Sequence, residues 1–330
     1  MTDAFLGAEA SRGEPRRQGT PQAFLGVLGH VNVDYLFHLP EPLKPNATHP
    51  ITARERFWGG TAGNIAVAAA TLGVPTRLGS VVGEDFPAEY RDWLRARGVD
   101  LSDLVALPGR PTSAWWGFED PEHNVLGIID QGPLGGDDLA AEFSHALQAP
   151  WVHFATGPPK AWLRLVAKAK DAGRNVTFDP GQELRYRWGD RDFERMLDRS
   201  DMFVCNHVEL EQALDKLAYG DVVQLHDHVP VVLVTRGKEG ATLHREGERR
   251  PVAVPAVPRT EAPVVDTTGA GDGFRAGVYA GLHHGLDLAA CVALGNAVAS
   301  FVIEAKGAQT NLPTYAQAEA RARGLAPGRK

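Results

Sequence analysis

Short apolar runs of strand length alternate with helical stretches along most of this chain, and no other feature restricts its fold as tightly. AFLGVLGHVNVDYLFHL (23–39), TRLGSVVG (76–83), WVHFATG (151–157), NVTFDPG (175–181), MFVCN (202–206) and VPVVLVTRG (229–237) read as strands. Between them, GGTAGNIAVAAATLG (59–73) reads as a helix opened by glycines and closed by Gly73, and PAEYRDWLRARGV (87–99) as one ending at Gly98. KAWLRLVAKAKDAG (160–173) and VELEQALDKL (208–217) are further helices. Strands alternating with helices predict a parallel sheet covered by helices on both faces.

Two segments break the rhythm. Residues 36–58 and 112–130 predict strand pairs without helices. A small sheet inserted in an α/β domain can act as a lid. Residues 1–22 are rich in Gly, Pro and charge, which predicts a mobile tail, so the folded domain is expected over 23–330.

Composition excludes several classes. The chain has 330 residues, 43% hydrophobic and 23% charged, which suits a soluble protein with a large core. Its net charge of −7 gives no reason to expect a nucleic-acid or anionic-membrane partner. The two cysteines, Cys205 and Cys291, have no metal or CxxC spacing and suit a reducing cytoplasm. No signal peptide is expected, because the first 22 residues are polar and the run from Phe24 is interrupted by His30, Asn32 and Asp34. The weakly polar region 276–303 contains His283, His284, Asp287 and Asn296, so it reads as two buried helices rather than a membrane span.

Function is carried by VVDTTGAGDGFRAG, residues 264–277. Gly269, Ala270 and Gly271 can turn tightly and aim successive amides at one point, and the helix behind them adds its positive end. That is an anion hole. Asp272 at the helix start cannot hold a phosphate, but it can take a proton from a hydroxyl that attacks one. By itself the turn reads equally as an ordinary strand–helix connection with an Asp satisfying the helix. GxGxxG fails, because residue 274 is Phe, which argues against a nicotinamide-dependent oxidoreductase. No GxxxxGK[ST] loop occurs either, so phosphoryl transfer here needs another cradle.

DTTGAGDGF resembles the C-terminal signature of the ribokinase-like carbohydrate kinases, the PfkB family. GGTAGN at 59–64 resembles a second signature, and Asn206 with Glu209 (NxxE) and TRGKEG at 235–240 (TxGxxG) follow in the family's order. The likeness runs from about Phe24 to Pro313. It implies a three-layer α/β/α domain with a central, mostly parallel sheet and a small β-sheet lid. It also implies ATP with Mg²⁺, a small-molecule nucleoside or sugar acceptor, a cytoplasmic enzyme and, in some members, a homodimer paired through the lid. An intact Asp272 argues against a binding module that has lost catalysis.

Residue by residue, the resemblance implies these roles. Asn32 and Asp34, on one face of a strand, meet sugar hydroxyls. Gly59 and Gly60 allow a hinge and close approach of the sugar, and Asn64, opening the next helix, contacts a hydroxyl. Glu209 orders water around Mg²⁺, with Asn206 beside the nucleotide. Thr235, Arg236, Gly237 and Gly240 lie against the nucleotide at the end of a strand. Asn296 and the 305–310 loop with Gly307 match the adenine side. Asp266 and Thr268, with Val302, Ala305, Gly307 and Asn311 mostly through carbonyls, match a monovalent-cation site, so K⁺ can activate.

EYRDWLRARGVD, TSAWWGF and FDPGQEL resemble stretches of bacterial adenosine kinases and archaeal nucleoside kinases. That likeness places Trp115 against a base, where stacking is favourable, and Gln182 at the base or ribose. The expected reaction is phosphorylation of a nucleoside 5′-OH. Packing within the lid is the other reading of Trp115 and Trp116. Arg54, Arg56 and Arg110 can hold a second phosphate, so a phosphofructokinase-type acceptor stays open, as do ribose and fructose. Gly273 departs from the Ala, Thr or Ser usual after the catalytic Asp, at a cost of up to ~1 kcal/mol in a helix.

Overall fold

The computed structural model describes residues 23–137, 139–258 and 263–323. The tail expected over 1–22 lies outside the described residues. In chain order the strands are β1 (Leu25–Leu28), β2 (Asn32–His38), β3 (Ala53–Gly59), β4 (Thr76–Gly83), β5 (Asp100–Leu107), β6 (Ala114–Glu119), β7 (Val125–Asp130) and β8 (Trp151–Phe154). β9 (Asn175–Phe178), β10 (Met202–Asn206), β11 (Val231–Thr235), β12 (Ala241–Arg245) and β13 (Val252–Val254) follow. Nine of them form one sheet in the order β13-β12-β11-β10-β9-β8-β1-β4-β5. Its pairings are parallel except where β12 joins β11 and β13.

The helices are α1 (Thr61–Thr71), α2 (Ala88–Ala96), α3 (Pro159–Asp171), α4 (Asp190–Leu197), α5 (His207–Leu217), α6 (Ala270–His283), α7 (Leu288–Val302) and α8 (Tyr315–Ala322). The central strands send alternate side chains to two cores. Met202 and Val204 of β10 join the core built with α1, α2, α6, α7 and α8, whereas Phe203 and Cys205 join the one built with α3, α4 and α5. Burial on both faces is why these strands read as unbroken apolar runs. The three layers are thus those expected.

The second sheet has the order β3-β2-β6-β7, with β2 parallel to β6 and antiparallel to β3. It is the expected lid, but it begins earlier. The single strand expected over 23–39 is divided: β1 lies in the central sheet and β2 in the lid. The chain crosses between them at Gly29, where φ is 153° and a Cβ would stand 2.9 Å from that of Ala155. Apolar periodicity continues through the break, so it could not reveal a change of sheet. Asn32 and Asp34 therefore belong to the lid, not to the end of a central strand.

α6 and α7 pack unusually close, because a Cβ on Gly277 would lie 2.7 Å from Cα of Gly295. The same packing accounts for Gly273. A Cβ there would lie 2.8 Å from Val302 Cγ2, so glycine fits α6 against α7 just behind Asp272. Among the described residues no helix is long and apolar enough to cross a membrane.

Candidate active site

The C-terminal ends of β1, β9, β10 and β11 lead into turns that carry several residues of interest, at the sheet edge where ligands of open α/β sheets bind. Gly269 caps α6 in the left-handed region at φ 76°, without a side-chain cap. A Cβ on it would stand 2.8 Å from Cα of Ala308, so the anion loop and the 305–310 loop share one surface. Ala270 gives its amide to the Thr267 carbonyl at 3.2 Å, so that donor serves the turn and not the anion hole the sequence reading assigned it to. The next first-turn amides, of Gly271 and Asp272, have no acceptor one helical turn back.

Asp272 accepts a 2.8 Å hydrogen bond from Nδ2 of Asn64. Burial is the main force on its carboxyl and raises its pKa to about 7. The Arg275 charge and the Asn64 hydrogen bond pull it back, while Asp179 and Glu209 push it further up. Contrary to the sequence expectation, Asn64 does not open its helix. α1 starts at Thr61 with Gly60 as its cap, so Asn64 lies one turn inside and its amide is free to face Asp272.

Across the cleft, Asp34 on β2 accepts a short hydrogen bond from Asn32, which confirms that the two share a face. Burial, opposed by Asn32, raises its pKa to about 7, and the charges of Asp272 and Asp266 add to the rise. Its carboxylate lies directly over Gly59: a Cβ there would stand 2.5 Å from Asp34 Cγ. Gly60 has φ 90°, and a Cβ on it would meet Asn32 Oδ1 at 2.6 Å. Both glycines are required by close approach of the lid strands.

Trp115 pairs with Asp34 and with Ile129, so its indole projects from the same face of the lid. The ring lies over Gly117 and Gly127, where a Cβ would come within 2.5 Å of Cζ3 and 2.6 Å of Nε1. Trp116 projects from the opposite face. Gln182 is exposed on the turn after β9. The lid also touches the 305–310 loop, through Lys306 Nζ to Glu55 Oε1 at 2.9 Å and Phe57 against Gly307.

Asn206 and Glu209 form a capping box on α5, the Asn side chain accepting from the Glu209 amide at 2.9 Å and the Glu side chain from the Asn206 amide at 2.8 Å. Glu209 is buried, not on a solvated helix face. Burial, with the charge of Asp179, raises its pKa even though Arg275 lowers it. A site with several crowded carboxylates and one arginine fits a Mg²⁺ ion carried in on phosphates. Among the described residues no group of three or more His, Cys, Asp or Glu side chains forms a metal site by itself.

Thr235, Arg236, Gly237 and Gly240 form the turn from β11 to antiparallel β12, with Gly237 at φ 56° and Gly240 at φ 95°. Asn296 is buried and donates through Nδ2 to the Val254 and Pro255 carbonyls at 3.1 and 3.0 Å. It therefore ties α7 to the end of β13, and only its carbonyl oxygen is left for a ligand. Asp266 accepts from the Thr268 amide and the Gly307 amide, both at 2.9 Å. Val302, Ala305 and Asn311 stand in the same loop system, where Ala305 donates to the Val302 carbonyl at 3.4 Å and Asn311 to the Phe301 carbonyl at 2.7 Å.

Sequence reasoning missed a second layer. Arg275, three residues after Asp272, is buried and donates to Asp179 Oδ1 at 2.8 Å. His153 Nε2 stands 3.5 Å from the other oxygen of Asp179, and its Nδ1 is 2.7 Å from Tyr279 Oη. Burial opposes ionisation of both Arg275 and Asp179, yet their mutual attraction outweighs it and holds Arg275 above and Asp179 below the usual values. Gln309 reaches Asn64 Oδ1 at 2.9 Å and Tyr90 Oη at 2.8 Å. The polar residues of FDPG and AKGAQT were visible in sequence, but nothing local marked their partners.

A glycine turn at a helix N-terminus, a buried carboxylate beside it and a small sheet bearing a second buried carboxylate make up the candidate site. Residues 22–315 match the pfkB family carbohydrate kinase, and the chain belongs to that family. It is 34% identical over 298 residues to a nucleoside kinase of Methanothermobacter thermautotrophicus, covering 89% of this chain and 94% of that protein. The fold is similar to the crystal structure of Methanocaldococcus jannaschii nucleoside kinase, an archaeal member of the ribokinase family, with TM-score 0.81 and 29% identity over 91% of this chain and 99% of that one. Burkholderia thailandensis nucleoside kinase in complex with inosine shares the fold with TM-score 0.79 at 24% identity, over 91% and 97% of the two chains. The chain is thus an ATP-dependent kinase of the nucleoside and carbohydrate class.

Proposed function

We propose that the chain phosphorylates the 5′-OH of a nucleoside. The observation that carries this reading is Asp272, held by Asn64 at 2.8 Å beside the first-turn amides of α6 and facing a lid that bears Asp34 and Trp115. The nucleoside kinases among its relatives point to the same acceptor.

In this reading Asp34 accepts from ribose hydroxyls, and Gly59 and Gly60 let the sugar approach the backbone. Trp115, flat over Gly117 and Gly127, supplies a stacking platform for the base, with Gln182 at its edge. ATP with Mg²⁺ supplies the phosphoryl group. The amides of Gly271 and Asp272, together with the positive end of α6, stabilise negative charge as it develops on the transferring oxygens. Glu209 faces the metal side, while the 235–240 turn, Gly307 and the Asn296 region border the nucleotide. Asp272 accepts the hydroxyl proton, and its raised pKa suits a general base near neutral pH. The Asp266 loop, with Thr268 and the carbonyls of Val302, Ala305 and Gly307 near Asn311, would hold K⁺.

A cytoplasmic location belongs to this reading, which the two free cysteines, Cys205 and Cys291, support. Homodimerisation through the lid is supported by its outer face, where Phe37 stacks on Phe118 at 5.3 Å beside exposed Leu126 and Ile128. ADP release measured across nucleosides, ribose, fructose and fructose 6-phosphate tests the acceptor. The highest kcat/KM is expected for a nucleoside, and a clear preference for a sugar or sugar phosphate would replace that assignment.

A further inference from the structure

Trp93 on α2, Gln309 in the 305–310 loop, Asn64 on α1 and Asp272 on α6 form one unbroken hydrogen-bonded chain. Trp93 Nε1 donates to Gln309 Oε1 at 2.9 Å, Gln309 Nε2 to Asn64 Oδ1 at 2.9 Å, and Asn64 Nδ2 to Asp272 Oδ2 at 2.8 Å. An indole N–H can only donate, and an ionised carboxylate can only accept. The two ends therefore fix the direction of both amides between them. The second hydrogen of Gln309 Nε2 goes to Tyr90 Oη at 2.8 Å, and Tyr90 donates to the Gly59 carbonyl at 2.8 Å. Gln309 is 4% exposed, so a flipped amide would find no water to replace these partners.

We propose that Gln309 is a positioning residue for phosphoryl transfer: it orients Asn64 so that the Asn64 amide donates to Asp272, and through Tyr90 it ties the same loop to the lid hinge at Gly59. The proposal rests on Asp272 being the general base. With Asn64 so oriented, one carboxylate oxygen is held and its ionised form is favoured, leaving the other oxygen for the substrate hydroxyl. Were Asn64 reversed, its carbonyl oxygen would face the carboxylate and disfavour ionisation. The remaining charges around Asp272 are Asp34 from β2, Arg275 from α6 itself, Asp179 after β9 and Glu209 from α5, with the Tyr90 phenol from α2. None of them is displaced by an exchange at position 309 or 93 that keeps its shape.

The test is the pH profile of kcat/KM for purified Gln309→Met and Trp93→Phe enzymes, with thermal unfolding to confirm the fold. Gln309→Met keeps the length and adds no charge, but cannot donate to Asn64. Its acidic limb is expected to move up by about one pH unit, with kcat at pH 7 falling on the order of 10-fold and KM changing less. Trp93→Phe removes only the outermost link, keeps that side of the fold packed and is expected to move the limb in the same direction by less. Folded variants whose acidic limbs both stay within about 0.2 unit of the parent would overturn the relay. Asp272→Asn separates this failure from that of the mechanism: turnover retained in that variant removes Asp272 as base, whereas turnover lost with both limbs unmoved leaves the base in place and removes only Gln309 from its support.

Discussion

Asn64, one turn inside α1, and Asp272, in the first turn of α6 and 208 positions away in the chain, meet in a 2.8 Å hydrogen bond. The contact joins the helix that follows the lid hinge to the helix that carries the anion loop. In the proposed mechanism this hydrogen bond links the residues that meet the sugar to the residue that accepts its proton.

Replacement of the base should separate chemistry from folding. Asp272→Asn is expected to lower kcat by about 10²–10⁴-fold, with a smaller change in KM. Its stability should not fall. The folded pKa of Asp272 lies above its ordinary 3.8, so the folded state binds this proton more tightly, and the stability it contributes is lost as pH rises towards about 7. At pH 8 the Asn variant should be more stable by about 1–2 kcal/mol, measured by urea unfolding. A variant with near-parental turnover would remove Asp272 from the mechanism.

Activity should follow the same ionisation. Asp272 must be unprotonated to accept a proton, so kcat/KM is expected to fall as pH drops below about 7. Asp34, also raised to about 7, titrates in the same window and feels the charge of Asp272. The acidic limb should therefore be steeper than one proton allows. A pH-rate profile flat from pH 5.5 to 8 would contradict both assignments.

The lid hinge has no room for a side chain at Gly59, where a Cβ would come within 2.5 Å of Asp34 Cγ. Gly59→Ala should displace the Asp34 carboxylate, the group proposed to meet the sugar. The expected result is a KM for the acceptor at least ~10-fold higher, with the KM for ATP little changed. Initial-rate kinetics with each substrate varied in turn decide this.

Trp115 tests base recognition. Trp115→Ala should raise the acceptor KM on the order of 10-fold for a nucleoside, because base stacking contributes about 1–3 kcal/mol. Ribose, which lacks a base, should be affected far less. Equal losses for both would return Trp115 to a packing role in the lid.

The buried pair beneath the site should make folding sensitive to the loss of one member. Arg275→Met leaves Asp179 with only His153 beside it and should cost about 3–5 kcal/mol. Adding Asp179→Leu should recover part of that loss, because it removes the stranded carboxylate. Equilibrium unfolding of the single and double variants measures the coupling.

Much of this arrangement was legible in the order of residues because its causes are local. The strand alternation, the glycines around α1 and the αL turn at Gly269 each depend on a few neighbouring residues, and each lies where expected. The NxxE at 206–209 was read as a ligand motif, and the capping box it forms was equally a sequence-level signal. The division of 23–39 between two sheets was not legible, since apolar spacing is the same in both. Asn64 was misread as a helix-opening residue because a cap and a cleft-facing amide look alike in one dimension. Arg275 with Asp179, 96 positions apart, and Gln309 with Asn64, 245 apart, had no local trace at all.

The sequence by itself determined the class: an α/β chain with an interrupted rhythm for a lid, and a glycine turn with a carboxylate that, joined to three further motifs in the family's order, marks a kinase. Backbone turns and helix termini obey short-range sterics, so a few residues suffice to announce them. Tertiary structure alone decided how those parts act. Burial raises the Asp272 carboxyl to about 7, and Asn64 from α1, itself bonded by Gln309 of the 305–310 loop, supplies its hydrogen bond. Such effects depend on distance in space and on the exclusion of water, neither of which is written in the order of residues.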